Sequence, residues 1–219
     1  MRESVGTEHM FRYRTVMQVQ TRLFVAPEPN LGALDLGIER TVLGPGSWVD
    51  VRRSWLLGDD MVFDHLEATT RWNAGRREMY QRVVEVPRLT ASLPQDGPGH
   101  PVLRQAVRRL TAHYDRPVNR VSLALYRHGR DSVAFHGDRM GKLVADCIVA
   151  VLSLRGPRRL LIRPRGGGRS IGFMLGQGDV LVMGGRAQAD FEHSVPKVAH
   201  APPRMSVMFR SSAVMPPSQ

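Results

Sequence analysis

From Val118 onward the chain breaks into eight short runs: Val118 to Tyr126, Val133 to His136, Asp146 to Leu154, Arg159 to Arg163, Ser170 to Leu175, Asp179 to Met183, Phe191 to Ser194 and Arg204 to Arg210. Gly and Pro signals punctuate them. Each run has the length of a strand and falls short of a helix. Strands this short bury an apolar face only by stacking as sheets, and eight of them suit a double-sheet jelly roll. Helical patterns come earlier. Met61, Val62, Leu66 and Thr69 or Thr70 recur at helical spacing behind the capping candidates Asp59 and Asp60. A second helix starts at Pro101, with Val102 or Leu103, Ala106, Val107, Leu110 and Tyr114 on one face and Arg104, Arg108 and Arg109 on a solvated one. The expected class is mainly β with flanking helices (α+β).

With 219 residues the chain suits a single core. Strand patterns at 40–43 and 48–51 flank the turn Gly44-Pro45-Gly46, and residues 1–21, without periodicity, read as a mobile extension. The stretch from Gly75 to Arg88 is basic, carries Tyr80 and Arg82, and is closed by Pro87. The organisation reads as 1–58, an N-terminal extension with strands packing on the core; 59–117, helices and a basic loop; 118–210, the jelly roll; and 211–219, a tail.

Against that frame stand three side chains able to bind a metal: His136 and Asp138, in His-Gly-Asp, and the later His193. On an extended strand residues two apart share a face, so His136 and Asp138 can grip one ion. Two imidazoles and one carboxylate on one side of an octahedron leave three positions open, the arrangement of non-haem Fe(II) oxygenases. The same alternation places Arg204, Ser206, Met208 and Arg210 on one face of the last strand and Met205, Val207 and Phe209 on the other. A guanidinium donates two parallel bonds to a carboxylate. A diacid chelating iron at one end and held by arginine at the other fits 2-oxoglutarate.

These segments resemble the AlkB-type Fe(II)/2-oxoglutarate dioxygenases that repair alkylated nucleic acid. The resemblance runs from Trp72 to Arg210. It is carried by Val118-Asn119-Arg120 leading to Leu125-Tyr126, by Asp131 to Asp138, by Gly178-Asp179, by His193-Ser-Val-Pro196 and by Arg204 to Arg210. A closer resemblance is to bacterial AlkB-like proteins with a similar R-P-R-G-G-G-R-S run. The resemblance implies a double-stranded β-helix with a nucleotide-recognition lid within 59–117. It implies Fe(II) on His136, Asp138 and His193, 2-oxoglutarate on Arg204 with help from Tyr126 and Ser206, and Arg210 near the chelating end and the metal-binding carboxylate. O2 is the second cosubstrate. The implied reaction demethylates bases of the 1-methyladenine or 3-methylcytosine type, releasing formaldehyde, succinate and CO2. Trp72, Tyr80, Arg82, Arg139 and Met140 are candidate substrate contacts. Ala124 stands where the family usually has Asn, and Met140 where the bacterial enzyme has a second Asp. The first bears on cosubstrate affinity, the second on base preference. A 2-oxoglutarate oxygenase for a protein or small molecule, or a weakly active nucleic-acid-binding module, remains the alternative.

Charge agrees with a polyanionic partner: 31 Lys and Arg face 20 Asp and Glu, a formal net of +11. DNA is expected ahead of RNA, and a monomer is expected. The lone Cys147 lies in an apolar run and reads as a buried thiol. No run approaches the length of a membrane span and no secretory h-region opens the chain, so cytoplasm is the expected compartment. The glycines at 166–168 lack a P-loop context and read as a hairpin.

Overall fold

The last strand, β14 (Arg204–Arg210), sits inside an eight-stranded sheet, paired on one side with β7 (Arg120–Tyr126) and on the other with β9 (Val149–Arg155), both antiparallel. A computed structural model describes residues 28–79, 82–94, 99–138 and 147–211. Among them the remaining strands are β1 (Asn30–Leu31), β2 (Ile38–Gly44), β3 (Ser47–Arg52), β4 (Leu56–Leu57), β5 (Asn73–Met79), β6 (Arg82–Leu93), β8 (Val133–His136), β10 (Arg158–Pro164), β11 (Ile171–Leu175), β12 (Val180–Gly185) and β13 (Phe191–Val195). The helices are α1 (Asp59–Thr69), α2 (Pro101–Tyr114) and the single turn α3 (Ala187–Asp190). The major sheet runs β2-β3-β12-β9-β14-β7-β6-β5, and the minor sheet β11-β10-β13-β8. The expected jelly-roll strands are present, and β2 and β3 on one side and β6 and β5 on the other widen the major sheet.

Period-two alternation gives the major sheet two different faces. Leu123, Leu125, Leu152, Met205, Val207 and Phe209 pack beneath the helices, against Phe63 and Leu66 of α1 and Leu103 and Leu110 of α2. Ala124, Tyr126, Val149, Val151 and Leu181 face the minor sheet and meet Leu160, Ile162 and Val195. Cys147 is buried in this second core, as its apolar run predicts. Because one-residue slips would exchange the two faces, this patterning fixes the register.

Three local expectations change. Neither Asp59 nor Asp60 caps α1; Gly58, with φ of 71°, holds the N-cap position. The Asp59 carboxylate accepts the Arg155 backbone N–H at 2.7 Å, and Asp60 binds the Arg155 side chain, so both acids tie the helix to the end of β9. Pro87 does not close the basic stretch. It lies within β6, where the pairing with β5 shifts register between Ala74–Leu89 and Arg76–Glu85, a bulge at which a missing N–H costs no ladder bond. Arg109 is not simply solvated, since its guanidinium donates to the carbonyls of Leu31 and Gly32 and fastens β1 to α2. At α2 the expectation holds: Pro101 opens the helix and the His100 ring accepts the Val102 N–H.

Tyr80, Arg139, Met140, residues 1–21 and nearly all of the 211–219 tail lie outside the described residues. No helix among the described residues is long and apolar enough to cross a membrane.

Candidate active site

Strand pairing brings the first two metal-binding candidates together. His193 of β13 lies directly opposite His136 of β8, and their rings stand 4.5 Å apart between centroids. Asp138 joins them by another route than strand alternation, because β8 ends at His136. Two residues further on, its Oδ2 is 3.9 Å from His193 Nε2. Arg210 fixes it there: Nε and Nη2 donate to Asp138 Oδ1 at 2.9 and 2.7 Å, while Nη1 donates to Ser122 Oγ at 2.6 Å. The bond crosses from the major sheet to the end of a minor-sheet strand.

Electrostatics keep this group in its ligating form. Burial pushes the Asp138 carboxyl up, but the Arg210 guanidinium and the neighbouring imidazoles more than offset it, so it titrates below the ordinary carboxylate range. Burial drives the His193 imidazole down to about 4, so it is neutral at physiological pH with a lone pair to give. Asp138 Oδ2 is buried without a hydrogen-bond partner. Among the described residues no three acids, histidines or thiols stand in finished ligating geometry. Two imidazoles beside an orphaned carboxylate oxygen are nonetheless a donor set that fits ferrous iron.

A cleft of about 350 Å³ opens beside these residues, lined by His136, His193, Tyr126, Ser206 and Arg210. Arg204, 0% exposed, does not line it but lies beside Tyr126, which does. Its Nε donates to Ser153 Oγ at 2.8 Å, and both terminal nitrogens are buried with no partner. Desolvation drives this guanidinium down to about 10, as expected of a buried cation with no counter-charge beside it. Its Cζ lies 5.5 Å from the centre of the Tyr126 ring. Arg158, also buried, lies 5.7 Å from the same ring and donates to the backbone carbonyls of His128, Asp131 and Pro196. This corner is built to receive an anion.

The outer part of the cleft belongs to the β5 and β6 side of the major sheet. Arg71, Asn73, Arg88, Thr90 and Ser92 line it. Trp72 lies between two of them and turns away: its indole packs against the helical core and donates to the Glu67 carbonyl. Arg82 opens β6 opposite Met79. Sequence patterning did not single out Ser122, Ser153, Arg158 or Arg88. The only signal for them was alternation on β6, β7, β9 and β10, which puts each on the face its sheet turns toward the other sheet.

A profile of the 2OG-Fe(II) oxygenase superfamily matches residues 62–212, from within α1 to just past β14. The chain belongs to that superfamily. Within it the chain is an AlkB-type dioxygenase, an enzyme class that works with Fe(II), 2-oxoglutarate and O2. It is 30% identical to the human (Homo sapiens) alpha-ketoglutarate-dependent dioxygenase alkB homolog 3 over 240 residues, 94% of this chain and 79% of that protein. The bovine (Bos taurus) homolog 3 is 29% identical, with 85% and 74% covered. Two solved structures share the fold. That of OsALKBH1 has a TM-score of 0.55 at 16% identity, covering 79% of this dioxygenase and 100% of that chain. A prolyl hydroxylase from Trichoplax adhaerens, in complex with a hypoxia inducible factor oxygen degradation domain peptide fragment, has a TM-score of 0.57 at 10% identity, covering 75% and 83%.

Proposed function

We propose that the dioxygenase removes methyl groups from ring nitrogens of alkylated bases in nucleic acid, with 1-methyladenine and 3-methylcytosine as the lesion type and DNA ahead of RNA. The observation that carries the reading is the buried Arg204, whose two terminal nitrogens have no partner and whose guanidinium lies beside Tyr126, a residue of the cleft that His136 and His193 also line. We assign His136, Asp138 and His193 to Fe(II). Arg204 takes the distal carboxylate of 2-oxoglutarate, with Tyr126 and Ser206 beside it. Arg210 holds the Asp138 carboxylate.

Bound iron, 2-oxoglutarate and O2 together supply the oxidising equivalent: one oxygen atom goes to the N-methyl carbon and the other to succinate, with CO2 and then formaldehyde released. The chain's own residues bind and orient. Neutral His193 offers its lone pair without first losing a proton. Arg210 presents Asp138 with one oxygen occupied and the other unpartnered. Tyr126 and the apolar face of β7 and β9 keep the cosubstrate end dry, which strengthens the Arg204 charge.

Nucleic acid as the substrate is supported by the net charge of +11 and by Arg71 and Arg88 on the cleft wall. A duplex base must leave the stack to reach His136, and methylation at a pairing nitrogen lowers that cost. The test is anaerobic loading with Fe(II), then air, 2-oxoglutarate and an oligonucleotide carrying 1-methyladenine or 3-methylcytosine. Succinate and the restored base should appear in equal amounts. Succinate without base repair would reject the nucleic-acid substrate and turn the search to proteins or small molecules; neither product would reject the assignment of the site.

A further inference from the structure

Gly137 lies between two of the residues assigned above to iron, and its backbone does not require glycine, since its φ lies outside the left-handed region. What a side chain there would meet is the far end of Arg165, an exposed residue. A Cβ at position 137 would stand 2.6 Å from Arg165 Nη2 and 3.4 Å from its Cζ and Nη1. The guanidinium is itself anchored: Nε donates to the Ala189 carbonyl at 2.9 Å and Nη2 to the Gln188 carbonyl at 3.0 Å, while the Arg165 backbone N–H donates to the Asp190 carbonyl. These are the open carbonyls at the C-terminal end of α3, where a cation is favoured. The turn leads directly into β13 and His193.

Arg165 follows the last residue of β10, which pairs with β13, which pairs with β8. Its side chain therefore reaches across three strand ends, from α3 to the segment that carries Asp138. We propose that Arg165 is a positioning residue that keeps the Asp138 segment and the His193 strand in mutual register, and that residue 137 is glycine to admit its guanidinium. The inference rests on the metal assignment made above. It adds a pair of residues outside the ligand set whose contact sets the geometry of that set.

A contact of this kind is non-additive. The measurement is Co(II) affinity by calorimetry on the full chain, for the wild type, Gly137→Ala, Arg165→Ala and the double variant, with His193→Ala as a control. Each single substitution should weaken Co(II) binding about tenfold, the low end for residues that orient metal ligands. The double variant should be no weaker than the Arg165→Ala single, because the methyl then meets nothing. Arg165→Lys, which keeps the charge but loses the fork, should fall between wild type and Arg165→Ala. Losses that multiply to about a hundredfold in the double variant would overturn the inference while leaving the ligands intact. So would Arg165→Ala binding Co(II) as well as wild type does. Binding indifferent to His193→Ala would sink the metal assignment, and this inference with it. Melting curves without metal separate positioning from folding: Gly137→Ala should melt like the wild type, and a loss of affinity found only in variants that melt early would overturn the proposal.

Discussion

Arg204→Met is the substitution that most directly tests the anion corner. In the ligand-free protein Arg204 is fully buried, with one side-chain hydrogen bond, to Ser153, and two nitrogens without partners. Its fall to about 10 from the ordinary guanidinium range corresponds to about 3 kcal/mol of penalty on the charged form. Methionine has similar length, no charge and no donor. Removing the cation recovers that penalty and loses one hydrogen bond of about 1 kcal/mol. The expected net is a stabilisation of about 2 kcal/mol, or about 4–8 °C in Tm for a domain of this size. Titrated to about 100 times its Kd, 2-oxoglutarate should add about 2.7 kcal/mol of stability to the wild type by mass action. The variant should gain nothing. Differential scanning fluorimetry with and without 2-oxoglutarate reads both effects. The reasoning fails if Arg204→Met melts well below the wild type in the absence of ligand, or if 2-oxoglutarate still raises its Tm.

Three further outcomes are expected. Ala124, buried on the cleft face opposite Ser206, leaves out an amide; Ala124→Asn should tighten 2-oxoglutarate binding about fivefold by calorimetry, the worth of one net hydrogen bond, whereas weaker binding would mean the corner has no room. Tyr114 donates to the buried Asp50 carboxylate, which Arg40 also holds in two bonds, so Tyr114→Phe should cost about 1 kcal/mol in urea denaturation; a loss above about 3 kcal/mol would mean that Arg40 does not hold Asp50 alone. At Asp131, burial raises the carboxyl but its bonds from Arg127 lower it further, leaving the folded value depressed. Its stabilisation is therefore present above about pH 4 and is lost as pH falls through the folded value; Asp131→Asn should flatten the acid limb of stability measured from pH 5 to 3, and an unchanged limb would refute the link.

What the sequence disclosed follows from periodicity. Alternation on β14 separated Met205, Val207 and Phe209 from Arg204, Ser206 and Arg210, because a strand between two cores must pattern both faces. Pro101 announced α2 for the same local reason. Partners distant in sequence were not legible. Ser153 and Ser122 are ordinary strand serines until β9 and β7 are laid beside β14, 51 and 88 residues away. Nor does periodicity say that Asp59 would be recruited by the Arg155 backbone instead of capping its own helix. His136 and Asp138 were grouped by strand alternation, yet the strand ends at His136, two residues short of Asp138, and it is Arg210 that holds the Asp138 carboxylate.

The bond between Arg210 and Asp138 joins β14 in one sheet to the end of β8 in the other. The place assigned to chemistry is thus also a clasp. A dicarboxylate gripped by Arg204 at one end and by the metal at the other would run parallel to it, a second strap across the same gap. Opening the mouth of the sandwich and emptying the site would then be one event. Amide hydrogens of β8 and β13 should slow their exchange with solvent when cosubstrate binds, although Arg204, Tyr126 and Ser206 all belong to the opposite layer. Substrate turnover would periodically undo the strap, so the edge of the smaller sheet would loosen and tighten in step with each catalytic cycle.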